Sequence, residues 1–107
     1  MPLLEFSAIT SRALAIRSIL EEHEQRKFGR TWSREELVLG LVGDIGDLAK
    51  LVQALEGVRE IEGVREKLEH ELADILWSTL VIAAQCQVDL EASFVRTMEE
   101  IERSVAS

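Results

Sequence analysis

The chain is poor in residues that break helices or favour sheets. Its single proline is at position 2, it has no tyrosine, and its aromatics are three phenylalanines and two tryptophans. Alternating runs of β-branched and aromatic residues are scarce, which argues against a sheet protein and makes helix the economical reading. One cysteine, Cys86, excludes an intramolecular disulfide and suits a reducing compartment. Basic residues are in deficit too: 12 Lys and Arg against 20 Asp and Glu leave a formal charge of −8. A chain that tracks nucleic-acid phosphates needs a basic face, so no nucleic acid is expected as a partner. A small phosphorylated substrate stays open, provided metal ions screen the carboxylates. No apolar stretch reaches the roughly 20 residues that span a bilayer, and MPLLEFSAIT lacks the basic and apolar segments of a secretory signal. The expectation is a cytoplasmic protein with no membrane partner.

Hydrophobic residues make up 47% of the 107, enough for one globular domain over 1–107, although a chain this short buries only a small core. Phe6, Ile9, Ala13, Ile16 and Leu20 recur at intervals of three and four, predicting an amphipathic helix over about 3–27 that stops near Gly29. Ser33 and Glu36 form a capping-box pattern, which opens a second helix running to about Leu55 and ending at Gly57. EGVRE occurs at 56–60 and again at 62–66, a two-copy duplication that is too short for a solenoid and reads as a connector. A third helix is expected over about 65–86. Asp89 has the chemistry of an N-cap for a fourth, carrying Leu90, Phe94, Val95, Met98 and Ile101. The fold class is all-α, a four-helix bundle.

Two of these helices are apolar nearly all round: LVLGLV at 37–42 in the second, and ILW with LVIAA at 75–84 in the third. A surface helix should show one apolar stripe, so the extra neighbours are expected from another subunit, in a dimer or tetramer. Gly40, Gly43 and Gly46 are spaced by three and leave a groove for close helix approach, each at a cost of about 1 kcal/mol against alanine.

Four acids interrupt the apolar stretches: Asp44 and Asp47 in the second helix, Glu71 and Asp74 in the third. Each pair is spaced i, i+3 and projects from one side of its helix. If the helices face each other, four carboxylates meet, and buried like charges must protonate or find cations. A hard divalent ion such as Mg²⁺, or Mn²⁺, takes carboxylate and water oxygens, while the lack of thiolates and clustered imidazoles argues against zinc. The alternative is a solvated face, with Lys50 beside Asp47 and Lys67 near Glu71 and Asp74 as plain surface partners. A ferritin-like di-iron site is disfavoured, since neither His23 nor His70 has a glutamate three residues before it.

VGDIGDLAKLVQAL followed by HELADILW resembles the MazG-like, all-α nucleoside triphosphate pyrophosphohydrolases, marked by E-E-x-x-E on one helix and E-x-x-D on the next. The likeness runs on through VDLEASF, and residues 48–70 between the two motifs match the family's usual gap. G-D-x-G-D in place of E-E-x-x-E is most similar to the dCTP pyrophosphatase branch. The resemblance implies a hydrolase in which Asp44, Asp47, Glu71 and Asp74 bind Mg²⁺ and a (d)NTP becomes the nucleoside monophosphate and pyrophosphate. It also implies self-association and a house-cleaning role on non-standard nucleotides. The departures are Gly43 for the motif's first glutamate, Asp for its other two, and Thr97 and Ile101 where many relatives carry Lys and Asn. Phosphate contacts would then fall to Lys50, Arg96 or Arg103. These departures favour a second reading, a non-catalytic helical oligomer that binds nucleotide or a protein partner.

Trp32 is expected as a hydrophobic staple before the second helix or as a platform for a base, and Trp77 as a core residue. His70 is expected on a surface or interface, Cys86 as a small buried hydrophobe, and Glu99, Glu100 and Glu102 on a solvated face.

Overall fold

Local hydrogen bonding at the chain's turns sets the element boundaries. The computed structural model describes residues 5–106, which form four helices: α1 (Phe6–Phe28), α2 (Arg34–Leu55), α3 (Val64–Gln85) and α4 (Leu90–Ala106). Leu3 and Leu4, assigned above to the first helix, lie outside the described residues. α1 ends at Gly29, whose φ of 74° is the left-handed conformation glycine adopts without penalty.

α2 opens on the anticipated capping box: the Glu36 N–H donates to Ser33 Oγ, and the Ser33 N–H donates to Glu36 Oε1. Arg30 also bonds the Glu36 carboxylate, and with the Ser33 amide it holds the Glu36 pKa down at about 2. α2 closes in a Schellman arrangement, the Gly57 N–H on the Ala54 carbonyl and the Val58 N–H on that of Gln53. The EGVRE duplication spans this turn and the first turn of α3. α3 closes the same way through Gln87 and Val88, except that Gln87 holds φ at 58°, where a Cβ is strained. Asp89 caps α4, its Oδ1 accepting from the Ala92 N–H at 3.1 Å.

α2 and α3 pack along each other and α1 lies against α3. Leu37 and Leu51 from α2, Leu80 and Val81 from α3, and Ala13 from α1 form the buried apolar core. α4 buries no residue. The four expected helices are thus present, but within one chain the fourth stands off the other three. The radius of gyration is 16.8 Å, against about 13 Å for a compact domain of this length.

Two expectations are corrected. Cys86 is exposed, not buried, because it is the C-cap of α3, where the chain turns out of the helix. On α1 the buried residues are Ala13, Arg17 and Glu24, while Leu20 is exposed. The apolar stripe gives way to an ion pair because Arg17 and Glu24 bond each other and the chain beyond the helix, as described below, while Arg17 Nε makes no hydrogen bond among the described residues and lies 3.8 Å from Glu21 Oε1.

Replacing Gln87 by glycine relieves the left-handed strain, and equilibrium denaturation should show a gain of about 0.5–1 kcal/mol. A loss would mean that the Gln87 side chain contributes more than its backbone costs.

Candidate functional site

Packing α2 on α3 brings Asp44, Asp47 and Glu71 together, with one carboxylate oxygen from each within 4.8 Å of the others. Asp44 and Glu71 are half-buried and Asp47 is exposed. The i, i+3 spacing puts both aspartates on the α2 face that meets α3, and the helix pairing supplies the glutamate. All donors are carboxylate oxygens, with no sulfur or imidazole among them, a set that suits a hard divalent cation taking about six oxygens. Three carboxylates leave positions for water and substrate oxygens.

The fourth expected acid behaves differently. Asp74 Oδ2 lies 3.2 Å from His70 Nε2, one turn back on α3, and Asp74 is not part of the three-oxygen cluster. Its charge is still felt there. Glu71 has its pKa raised, first by partial burial, then by the Asp44 carboxylate, with Asp47 and Asp74 adding to the repulsion. His70 is exposed, as expected. Its i, i+4 relation to Asp74 was readable from the spacing.

The cluster lies between two open clefts. One, of about 420 Å³, is walled by Asp47, Glu66 and Glu71 together with Lys50, Lys67 and His70, so two lysines stand beside the acids. The other, of about 490 Å³, is walled by Asp44, Leu37, Trp32 and Trp77. Trp32 is the residue before the N-cap and shares this wall with Leu37 of the first α2 turns, as a staple would, yet it is 37% exposed. Phe28 packs 5.5 Å from its ring and the Arg30 guanidinium sits 5.3 Å from it. Trp77 is half-buried and donates its indole N–H to the Ala13 carbonyl at 3.0 Å. Two aromatic walls therefore adjoin the acids, of which only Trp32 was singled out as a platform.

Arg96 is not brought to this place. It lines a separate hollow on α4 with Asp89, Val95 and Glu99, and contacts Ser93. Arg103 lies in the last turn of α4. A Cβ built on Gly40, Gly43 or Gly46 meets nothing within 4 Å, so the glycine face of α2 is open in the single chain.

The raised Glu71 pKa carries a stability signature. A carboxyl group more basic when folded than unfolded binds extra protons in the native state, so stability falls as pH rises from the ordinary carboxylate range through the raised Glu71 value. Glu71→Gln removes that dependence. Without divalent cation, the variant's melting temperature should exceed that of the wild type by a margin that grows over this window and then levels off. Added Mg²⁺ should stabilise only the wild type. A margin independent of pH would contradict the electrostatic coupling of the three acids.

Comparison with known proteins places the chain in a family. Residues 33–104, covering α2, α3 and most of α4, match the MazG nucleotide pyrophosphohydrolase domain. Among curated relatives, dCTP pyrophosphatase 1 of Homo sapiens is 33% identical over 86 residues, covering 72% of this chain and 51% of that protein. The Rattus norvegicus and Bos taurus proteins of the same name are 33% and 34% identical over the same coverage. The chain thus spans about half the length of the curated relatives it matches. With well over half of its residues matched to that domain, the chain belongs to the MazG nucleotide pyrophosphohydrolase domain family.

Proposed function

We propose that the protein is a divalent-cation-dependent nucleoside triphosphate pyrophosphohydrolase, releasing pyrophosphate and a nucleoside monophosphate from a (d)NTP. The observation that carries this reading is the triad of Asp44, Asp47 and Glu71, set between a cleft that holds Lys50 and Lys67 and one that holds Trp32 and Trp77. In it these three acids, with Asp74 acting through its charge on Glu71, hold Mg²⁺ or Mn²⁺. When bound, such an ion neutralises triphosphate charge and lowers the pKa of attacking water. Lys50 and Lys67 attract the phosphate chain from the cleft beside Asp47, and Trp32 and Trp77 receive the nucleoside beside Asp44. Arg96 is left out of this arrangement, as it faces another hollow. The name of the relatives supports dCTP as the first substrate to try; clearance of surplus or non-standard nucleotides is the role that the sequence resemblance implies. The exposed thiol of Cys86 suits a reducing, cytoplasmic setting.

The reading includes self-association. Leu39 and Val42 on α2 and Phe94 on α4 are each at least 60% exposed, a large apolar surface for a lone chain. A second copy covering these faces would also seat α4. Sedimentation should give a dimer or tetramer, and Val42→Glu should shift it toward monomer; a monomeric wild type at micromolar concentration would contradict this.

Gly43, Thr97 and Ile101 favour the rival reading, a nucleotide-binding oligomer without turnover. Pyrophosphate release from a panel of (d)NTPs with Mg²⁺ separates the two. Turnover of at least one nucleotide is expected, lowered 10²-fold or more by Glu71→Ala, which removes a ligand from the ion on which the chemistry depends. Folded wild-type protein that turns over none refutes the enzyme reading, and Glu71→Ala with unchanged Mg²⁺ affinity refutes the ligand set.

A further inference from the structure

The three buried residues of α1 share one helix face, and each is tied to a tryptophan of the aromatic cleft. The Ala13 carbonyl accepts from the Trp77 indole N–H. Arg17 and Glu24, 4% and 5% exposed, form an ion pair with Nη1–Oε2 at 3.3 Å. The pair closes on the backbone of Trp32 from both sides: Arg17 Nη2 donates to the Trp32 carbonyl at 3.0 Å, and the Trp32 N–H donates to Glu24 Oε1 at 2.9 Å. A buried ion pair is a poor source of net stability, since desolvation offsets most of the attraction, and an apolar pair of similar volume does as well or better. What it supplies is geometry, because a guanidinium fork and a carboxylate fix one peptide segment in both directions. α1 lies before residue 33, where the family match begins.

We propose that the buried Arg17–Glu24 pair of α1 is a positioning element for nucleoside recognition, gripping the Trp32 backbone and so fixing Trp32 in the cleft that it lines with Trp77 and Asp44. The proposal rests on the nucleotide reading above. α1 then governs the affinity for the base and sugar, while α2 and α3 alone govern that for the cation and the phosphate chain. Arg17 and Glu24 touch no substrate and act through Trp32.

The test compares wild type, the apolar double variant Arg17→Met/Glu24→Leu, and Arg17→Lys, whose single ammonium cannot bond Glu24 and the Trp32 carbonyl in the same fork geometry. Three quantities are measured: hydrogen exchange at the Trp32 amide, affinity for the four common deoxynucleoside monophosphates, and affinity for inorganic tripolyphosphate with Mg²⁺. Both variants should accelerate Trp32 amide exchange and weaken the best-bound monophosphate about tenfold, a change set by loss of a preorganised aromatic contact. Tripolyphosphate affinity should stay within about twofold, and with a turned-over nucleotide KM should rise while kcat holds. Equal losses for monophosphate and tripolyphosphate would reduce the pair to a structural role and overturn the proposal, as would Trp32 exchange unchanged in the double variant. If the double variant fails to fold, Arg17→Lys decides by the same measures. Wild-type protein that binds neither probe refutes the nucleotide reading itself, an outcome separate from the Trp32 exchange result.

Discussion

Mutual repulsion of carboxylates is the constraint on which the rest of the molecule depends. Two unit charges about 4 Å apart repel by roughly 1 kcal/mol in water and roughly 4 kcal/mol at an effective dielectric of about 20. Asp44, Asp47 and Glu71 meet at that kind of separation, but Asp47 is exposed and the other two are half-buried, so water screens much of the cost. The fold can therefore carry the cluster without a cation. The raised pKa of Glu71 reflects its partial burial first and this residual repulsion second, and a divalent ion held there would relieve the repulsion. A more deeply buried cluster would neutralise itself by protonation, and a fully exposed one would give an ion little reason to bind. The α2–α3 pairing sets the acids between these limits.

The clefts on either side acquire their character from the same pairing. Asp47 and Glu71 face lysines, while Asp44 faces tryptophans, so charge and aromatic surface are separated across the cluster. Such a division matches the chemistry of a nucleotide, with a charged chain at one end and a flat apolar base at the other. α1 contributes to only one side of it. Its buried face is spent on the two tryptophans through Ala13, Arg17 and Glu24, which explains why that face is polar where a packing helix would be apolar.

Much of this was legible in the sequence because local rules governed it. The capping box at Ser33 and Glu36, the end of α2 at Gly57 and the Asp89 cap all follow from backbone groups that need nearby partners. The two i, i+3 acid pairs were legible too, since helical periodicity fixes which residues share a face. Two features depended on tertiary placement and were not readable. Arg17 and Glu24 sit seven residues apart on a helix otherwise read by its apolar stripe, and their burial makes sense only once the Trp32 backbone lies between them. The separation of α4 is likewise a matter of tertiary placement, since periodicity reveals an apolar stripe but not what it packs on.

Paramagnetic titration tests the central claim, that these three acids form a cation site, most directly. Substoichiometric Mn²⁺ added to isotopically labelled protein should broaden the resonances of Asp44, Asp47 and Glu71 first, with Asp74 and His70 next, and excess Mg²⁺ should restore them. Broadening that begins instead at the acids of α4, such as Glu99, Glu100 and Glu102, or that spreads evenly over all surface carboxylates, would contradict the account.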